Sequence, residues 1–151
     1  MTGSTQGAGS EESSVSSYQQ IAAAVVHSSA VGLGEILKKY PGEAERAELA
    51  RAYVDKIRFF PDQSGYFFVY TLDCVNIALP NPNAWQGKNL YDHRDTKGKY
   101  VIRELAAVVR KGGGWVEYYW PKPGQAGEYR KMSYAEPVPN TGYFIGTGFY
   151  L

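Results

Sequence analysis

The stretch Tyr66-Phe67-Phe68-Val69-Tyr70-Thr71, followed after Leu72-Asp73-Cys74 by Val75-Asn76-Ile77-Ala78-Leu79, decides the fold. Aromatic and β-branched residues dominate both runs, and a three-residue connection leaves room only for an antiparallel return. A period of two puts Tyr66, Phe68 and Tyr70 on one face and Phe67 and Val69 on the other. Before these strands the period is helical. Tyr18, Ile21, Ala22, Val25, Ser29, Leu33, Ile36 and Leu37 recur at three- and four-residue steps, and Tyr40-Pro41-Gly42 stops that helix. A second helix is expected over about 43–59, with an apolar stripe through Ala47, Ala50, Tyr53, Val54 and Ile57.

Downstream, residues 80–97 form a long irregular loop rich in Pro, Asn, Gly and charge. A third helix follows over about 98–111, with Val101, Leu105, Val108 and Val109 inward and Gly112 placed to cap it. Three strands complete the pattern: Trp115–Trp120, Tyr129–Val138 and Tyr143–Tyr150, separated by Pro/Gly turns. The expected fold class is α+β, a five-stranded antiparallel sheet with N-terminal helices and one inserted helix. One domain is expected over 15–151, helical over 15–60 and sheet over 61–151, preceded by a small, polar tail over 1–14 that reads as disordered or tag-derived.

Composition narrows the function. At 151 residues the chain can build one core without disulfides, and its lone Cys74 offers none. A net charge of +1 with no basic run argues against nucleic acid as a partner. No stretch reads as a membrane span, and the N-terminus lacks the pattern of a signal peptide. Aromatic residues make up 15% of the chain, including 13 Tyr, which suits a sheet bordering a polar-rimmed site.

Four segments resemble the single Cache domain of the second type. They are Gly65–Tyr70; Gly87-Lys88-Asn89-Leu90 followed by Asp95; Tyr118-Tyr119-Trp120-Pro121-Lys122-Pro123-Gly124; and Lys131-Met132-Ser133-Tyr134 followed by Gly146-Thr147-Gly148-Phe149-Tyr150. The resemblance implies a PAS-like sheet and an extracytoplasmic sensor module of chemoreceptors and sensor kinases, not an enzyme. It implies a small organic ligand, typically a short-chain carboxylate, held between the sheet and its overlying loops. It also implies a parent protein that is membrane-anchored, through a segment this chain lacks, and a homodimer formed through the N-terminal helix. The chain departs from the pattern at Leu79, before Pro80, where relatives often place a histidine.

The expected ligand-binding residues are Phe68, Tyr70, Leu79, Trp85, Tyr91, Tyr118, Trp120, Lys131 and Ser133. Lys131 is assigned the carboxylate, because a lysine on a central strand between tyrosines is costly without solvent or an anion. Tyr70 and Ser133 offer hydrogen bonds, and Trp85 and Tyr91 close the site from above. Asp92-His93-Arg94-Asp95 has the residue types of a metal or catalytic cluster but no spaced partners, so no metal, cofactor or catalytic residue is assigned. Asp95 is a candidate cap for the third helix. Two other readings stay open: a small enzyme using the 92–95 cluster on a carboxylate, and a scaffold with a filled core.

Overall fold

The computed structural model describes residues 3–80 and 83–151, with side chains from Ser14 onward. Met1 and Thr2 of the expected tail, and Asn81 and Pro82 of the expected loop, lie outside the described residues. The elements are α1 (Gly3–Leu37), α2 (Glu43–Asp55), β1 (Phe68–Thr71), β2 (Asn76–Ala78), α3 (Val101–Arg110), β3 (Gly114–Pro121), β4 (Glu128–Pro137) and β5 (Tyr143–Tyr150). A 3-10 turn over Asn83–Trp85 opens the long loop. The sheet is five-stranded and antiparallel throughout, in the order β2-β1-β5-β4-β3. The last strand is therefore its centre, with Phe68 of β1 opposite Gly146 on one side and Lys131 of β4 opposite Tyr150 on the other.

Three expectations are corrected at the N-terminus. The stretch expected to be an irregular tail is helical from Gly3, because no proline interrupts the chain before Pro41 and a helix already nucleated extends cheaply. The buried stripe of α1 runs through Ala22, Val26, Ala30, Leu33 and Leu37, while Ile21 and Ile36 face outward. Small residues at 22 and 30 bring the helix close to the sheet, and that closeness decides which stripe is covered. Finally, Ser14–Leu37 is long and apolar enough to cross a membrane by length and composition, with a mean hydropathy of 1.3, although the sequence does not read as a span. In the fold its stripe packs on the sheet.

Two cores result, one on each face of the sheet. The first joins Val26, Leu33 and Leu37 of α1 and Ala50 and Val54 of α2 to Phe67, Val69, Ile77 and Ile145. Fully burying each large aliphatic side chain stabilises the fold by roughly 1.5–3 kcal/mol. Gly34 lets α1 touch the β4–β5 turn, where an added Cβ would stand 2.7 Å from the Pro139 carbonyl oxygen. The second core lies under α3 and the long loop, and joins Val101, Ile102 and Leu105 to Tyr66, Phe68, Tyr70, Tyr118, Trp120 and Phe144. The α3 end is as expected: the Gly112 N–H donates to the Val109 carbonyl with the glycine at φ 107.

The loop is stitched to the β2 edge by backbone bonds. Asn76 N donates to Lys88 O, Gly87 N to Asn76 O and Leu90 N to Cys74 O, each at 2.8 Å. The Leu79 amide donates to Gln86 Oε1 at 3.1 Å. These bonds hold residues 83–90 over the second core.

Candidate functional site

The β-ladder registers line up the residues of the second face. Tyr118, Lys131 and Tyr150 stand side by side on β3, β4 and β5; Val116, Ser133 and Gly148 form the next row. Further along come Gly114, Ala135, Gly146 and Phe68, then Phe144, Tyr70 and Asn76. Phe68 and Tyr70 thus occupy the face away from α1 and α2, as the alternation implies. The two glycines of β5 make room for the Phe68 ring and the Ser133 side chain. A Cβ on Gly146 would stand 2.5 Å from the Phe68 ring, and one on Gly148 would collide with Ser133 Oγ.

Lys131 is 1% exposed, and its ammonium meets the Tyr66 hydroxyl at 3.1 Å. The same nitrogen lies 4.3 Å from the Tyr66 ring centroid, 5.2 Å from Tyr150 and 5.7 Å from Phe68. None of the ion pairs among the described residues includes it. Burial alone pushes its pKa down to about 7. Ser133, fully buried, shares a 2.7 Å hydrogen bond with the Tyr118 hydroxyl. Burial raises the phenols of Tyr66, Tyr70 and Tyr118, and they raise one another: Tyr66 acts on Tyr70, and both act on Tyr118.

Leu79, Trp85 and Trp120 belong to the same apolar group, with the Trp85 and Trp120 rings edge to face at 5.2 Å. Eight of the nine expected residues are therefore brought together. Tyr91 is the exception and is corrected: it is 50% exposed on the outer side of α3, clamped under the Arg103 guanidinium at 3.7 Å. Arg103 also donates to the Tyr91 carbonyl at 2.7 Å, which turns that residue outward.

The 92–95 cluster disperses. Asp92 points out to pair with Arg103 at 2.7 Å. Asp95 is buried and accepts the Lys97 and Lys99 amides at 2.9 and 3.0 Å and the Tyr119 amide at 2.9 Å. Burial alone would raise its pKa, but the three backbone donors outweigh that and lower it. It anchors the loop to β3 and is not the helix cap expected of it; the N-cap of α3 is Tyr100, with no side-chain cap bond. Only His93 turns inward, 5.0 Å from Trp85 and 5.4 Å from Trp120, and burial lowers its pKa so that the ring is neutral at pH 7. Among the described residues no group of three His, Cys, Asp or Glu side chains converges.

Tyr66, Asn76 and His93 are the members that sequence reasoning missed. For Tyr66 the face was readable but not the contact with Lys131. A separate open cleft of about 630 Å³ lies outside, between the start of α3 and β3. Of its three cations, Lys99 bonds the Glu117 carbonyl, Arg103 pairs with Asp92 and Lys97 lies over the Tyr119 ring. Lys131 and the 92–95 residues do not share one open cleft.

A five-stranded antiparallel sheet with helices packed on it is the α+β fold of the PAS-like sensor domains. A Cache-domain family model matches residues 12–151, and the chain belongs to the Cache domain family. It is 38% identical over 89 residues to the sensor histidine kinase MctS of Rhizobium johnstonii, covering 59% of this chain and 19% of the kinase. It is 32% identical over 127 residues to the methyl-accepting chemotaxis protein CtpM of Pseudomonas aeruginosa, covering 80% of this chain and 22% of that protein. The chain thus spans about a fifth of the length of these curated relatives. One solved structure, described as the structural basis for carboxylic acid recognition by a Cache chemosensory domain, superposes with a TM-score of 0.79 at 26% identity, covering 93% of this chain and 97% of the other. A periplasmic sensor domain of a chemotaxis protein superposes with a TM-score of 0.77 at 26% identity, covering 93% and 96%.

Proposed function

We propose that this domain senses a small organic acid, whose carboxylate is held by Lys131 with Tyr66, Tyr118 and Ser133 around it. The observation that carries the reading is the buried ammonium of Lys131, which has aromatic rings and one hydroxyl about it and pairs with no carboxylate among the described residues. A buried cation without a counter-charge is costly, and an anionic ligand would remove that cost on binding. The similarity to a Cache domain described for carboxylic acid recognition supports the same ligand class. Phe68, Leu79, Trp85 and Trp120 would enclose the carbon chain.

In the parent protein we place the domain on the extracytoplasmic side of a membrane-anchored receptor, in keeping with its kinship to chemoreceptors and a sensor kinase. Dimerisation through α1 fits the exposed Ile21, Val31 and Ile36 on its outer face.

Calorimetric titration with acetate, propionate, pyruvate and lactate tests the reading. At least one acid should bind the wild-type domain, and Lys131→Met should weaken it by about a hundredfold, the scale of a lost buried charge pair. The pH dependence follows from the pKa near 7. The anion selects protonated Lys131, so affinity is level below pH 7 and falls about tenfold per unit above it. Binding of none of the acids, or binding indifferent to Lys131→Met, would refute the proposal.

A further inference from the structure

Lys131 is sealed inside the fold, so any small molecule that meets its amine needs a way in. The rings of Tyr66, Tyr150 and Phe68 stand around its nitrogen, and Tyr66 and Phe68 are buried, as are Tyr118 and Trp120 beside them. Of this group Tyr150 alone is half-buried, and it lines a surface cleft of about 210 Å³ with Tyr18, Phe60, Asp62 and Ser64. One ring thus borders both the buried amine and the surface. Two contacts hold it. The Tyr150 hydroxyl donates to the Pro121 carbonyl at 2.6 Å, and the Lys122 ammonium lies 5.5 Å from the ring centroid while pairing with Asp62 at 3.5 Å. Asp62 belongs to the turn over 60–64, in which Phe60 and Gln63 take φ values of 68 and 61. Neither is glycine, and such a backbone persists only where neighbouring contacts enforce it. Those contacts include the bonds from the Ser64 amide and hydroxyl to Asp62, at 3.1 and 2.6 Å, and the bridge to Lys122.

We propose that the Tyr150 ring is the gate to the buried lysine, and that the Tyr150–Pro121 bond and the Asp62–Lys122 pair are the latch that keeps it shut. Swinging the ring into the cleft joins the cleft to the Lys131 amine, and the swing requires both contacts to release. The latch is built to release easily. The side chains of Lys122 and Asp62 are 24% and 55% exposed, and an ion pair in that setting is weak because water competes for both partners. The other way in, under the loop, is tied more firmly. Backbone bonds from residues 87, 88 and 90 fasten it to the β2 edge, Gln86 holds the Leu79 amide, and the Trp85 and Trp120 rings pack beneath. The gate concerns access to the amine, whatever small molecule arrives, so it does not rest on the carboxylate reading.

The test needs no ligand. The ligand-free domain is acetylated with N-hydroxysuccinimidyl acetate at pH 9, where the Lys131 amine is neutral, and the labelling rate of that residue is followed by mass spectrometry of the digest. Tyr150→Phe removes the bond to Pro121 and should speed labelling about fivefold, the scale of one hydrogen bond. Asp62→Asn removes the counter-charge of Lys122 and should speed it about twofold, the scale of a partly exposed ion pair. Gln86→Ala, which frees the loop instead, should leave the rate at its wild-type value. Urea at about 1 M should barely alter the wild-type rate, because opening a gate exposes little surface while global unfolding exposes a core. A rate unchanged in either latch variant, acceleration in Gln86→Ala alone, or labelling that climbs with urea as steeply as global unfolding would each overturn the gate. All three leave the carboxylate reading standing, since that reading is judged by equilibrium affinity; a failed acid titration, in turn, leaves the gate standing.

Discussion

On the side of the sheet that meets α1 and α2, the buried set is mainly aliphatic: Val26, Leu33, Leu37, Val54, Val69 and Ile145, with Phe67 among them. On the other side the sheet carries Tyr66, Tyr70, Tyr118, Lys131, Ser133 and Asn76, all buried. The strands are the same, and alternate residues of a single strand serve the two sides. Backbone geometry therefore cannot explain the difference. Both faces pack a core, and the second also buries a lysine without a charged partner among the described residues, a cost in stability that suits the proposed function.

The largest expected contrast comes from truncation on the helical side. Leu33→Ala should cost about 3 kcal/mol in urea unfolding, the usual scale for a fully buried leucine, while leaving the ligand affinity of the folded fraction within about twofold. A comparable loss of affinity would mean that the two faces are not independent.

Titration should sharpen the comparison next. The folded pKa of Lys131 is depressed to about 7, while the unfolded side chain keeps its ordinary value near 10.5. Between these values the unfolded chain binds more protons, so stability rises with pH. By pH 9 the gain should reach about 2–3 kcal/mol over pH 6, and Lys131→Met should abolish it. Parallel stability curves for the wild type and the variant would show that the lysine is solvated.

The smallest effect is expected at the central strand. Gly148→Ala would push a methyl group against Ser133 Oγ and the Met132 carbonyl, and should cost about 1–2 kcal/mol while weakening ligand binding through the Ser133–Tyr118 pair. An alanine that leaves melting and binding untouched would mean that β5 can shift freely.

What was legible in the sequence follows from periodicity. The alternation 66–70 placed Phe68 and Tyr70 opposite Phe67 and Val69, and the alternation in β4 put Lys131 and Ser133 together. Where the chain has no period, the reading fails. His93 sits in an irregular loop, so nothing local reveals that its ring turns in while Asp92 turns out. Asn76 lies in a three-residue strand whose pairing slips by one residue between Val69 and Tyr70, so its face could not be counted. Tyr91 looked like a lid because it is aromatic and lies in the right loop, but the pull of Arg103 is a tertiary effect. Along α1 both stripes were apolar, and only the fit of Ala22 and Ala30 against the sheet selects one.

The bonds that tie the loop to β3 also act at the margin of the sheet. β3 is an outer strand, and its outward-facing backbone groups would otherwise offer a template to a strand from another molecule. Asp95 occupies the Tyr119 amide and Lys99 the Glu117 carbonyl, so two side chains stand where a foreign strand would dock. The acidic residue of the 92–95 cluster thus fills an edge amide that a sixth strand would need.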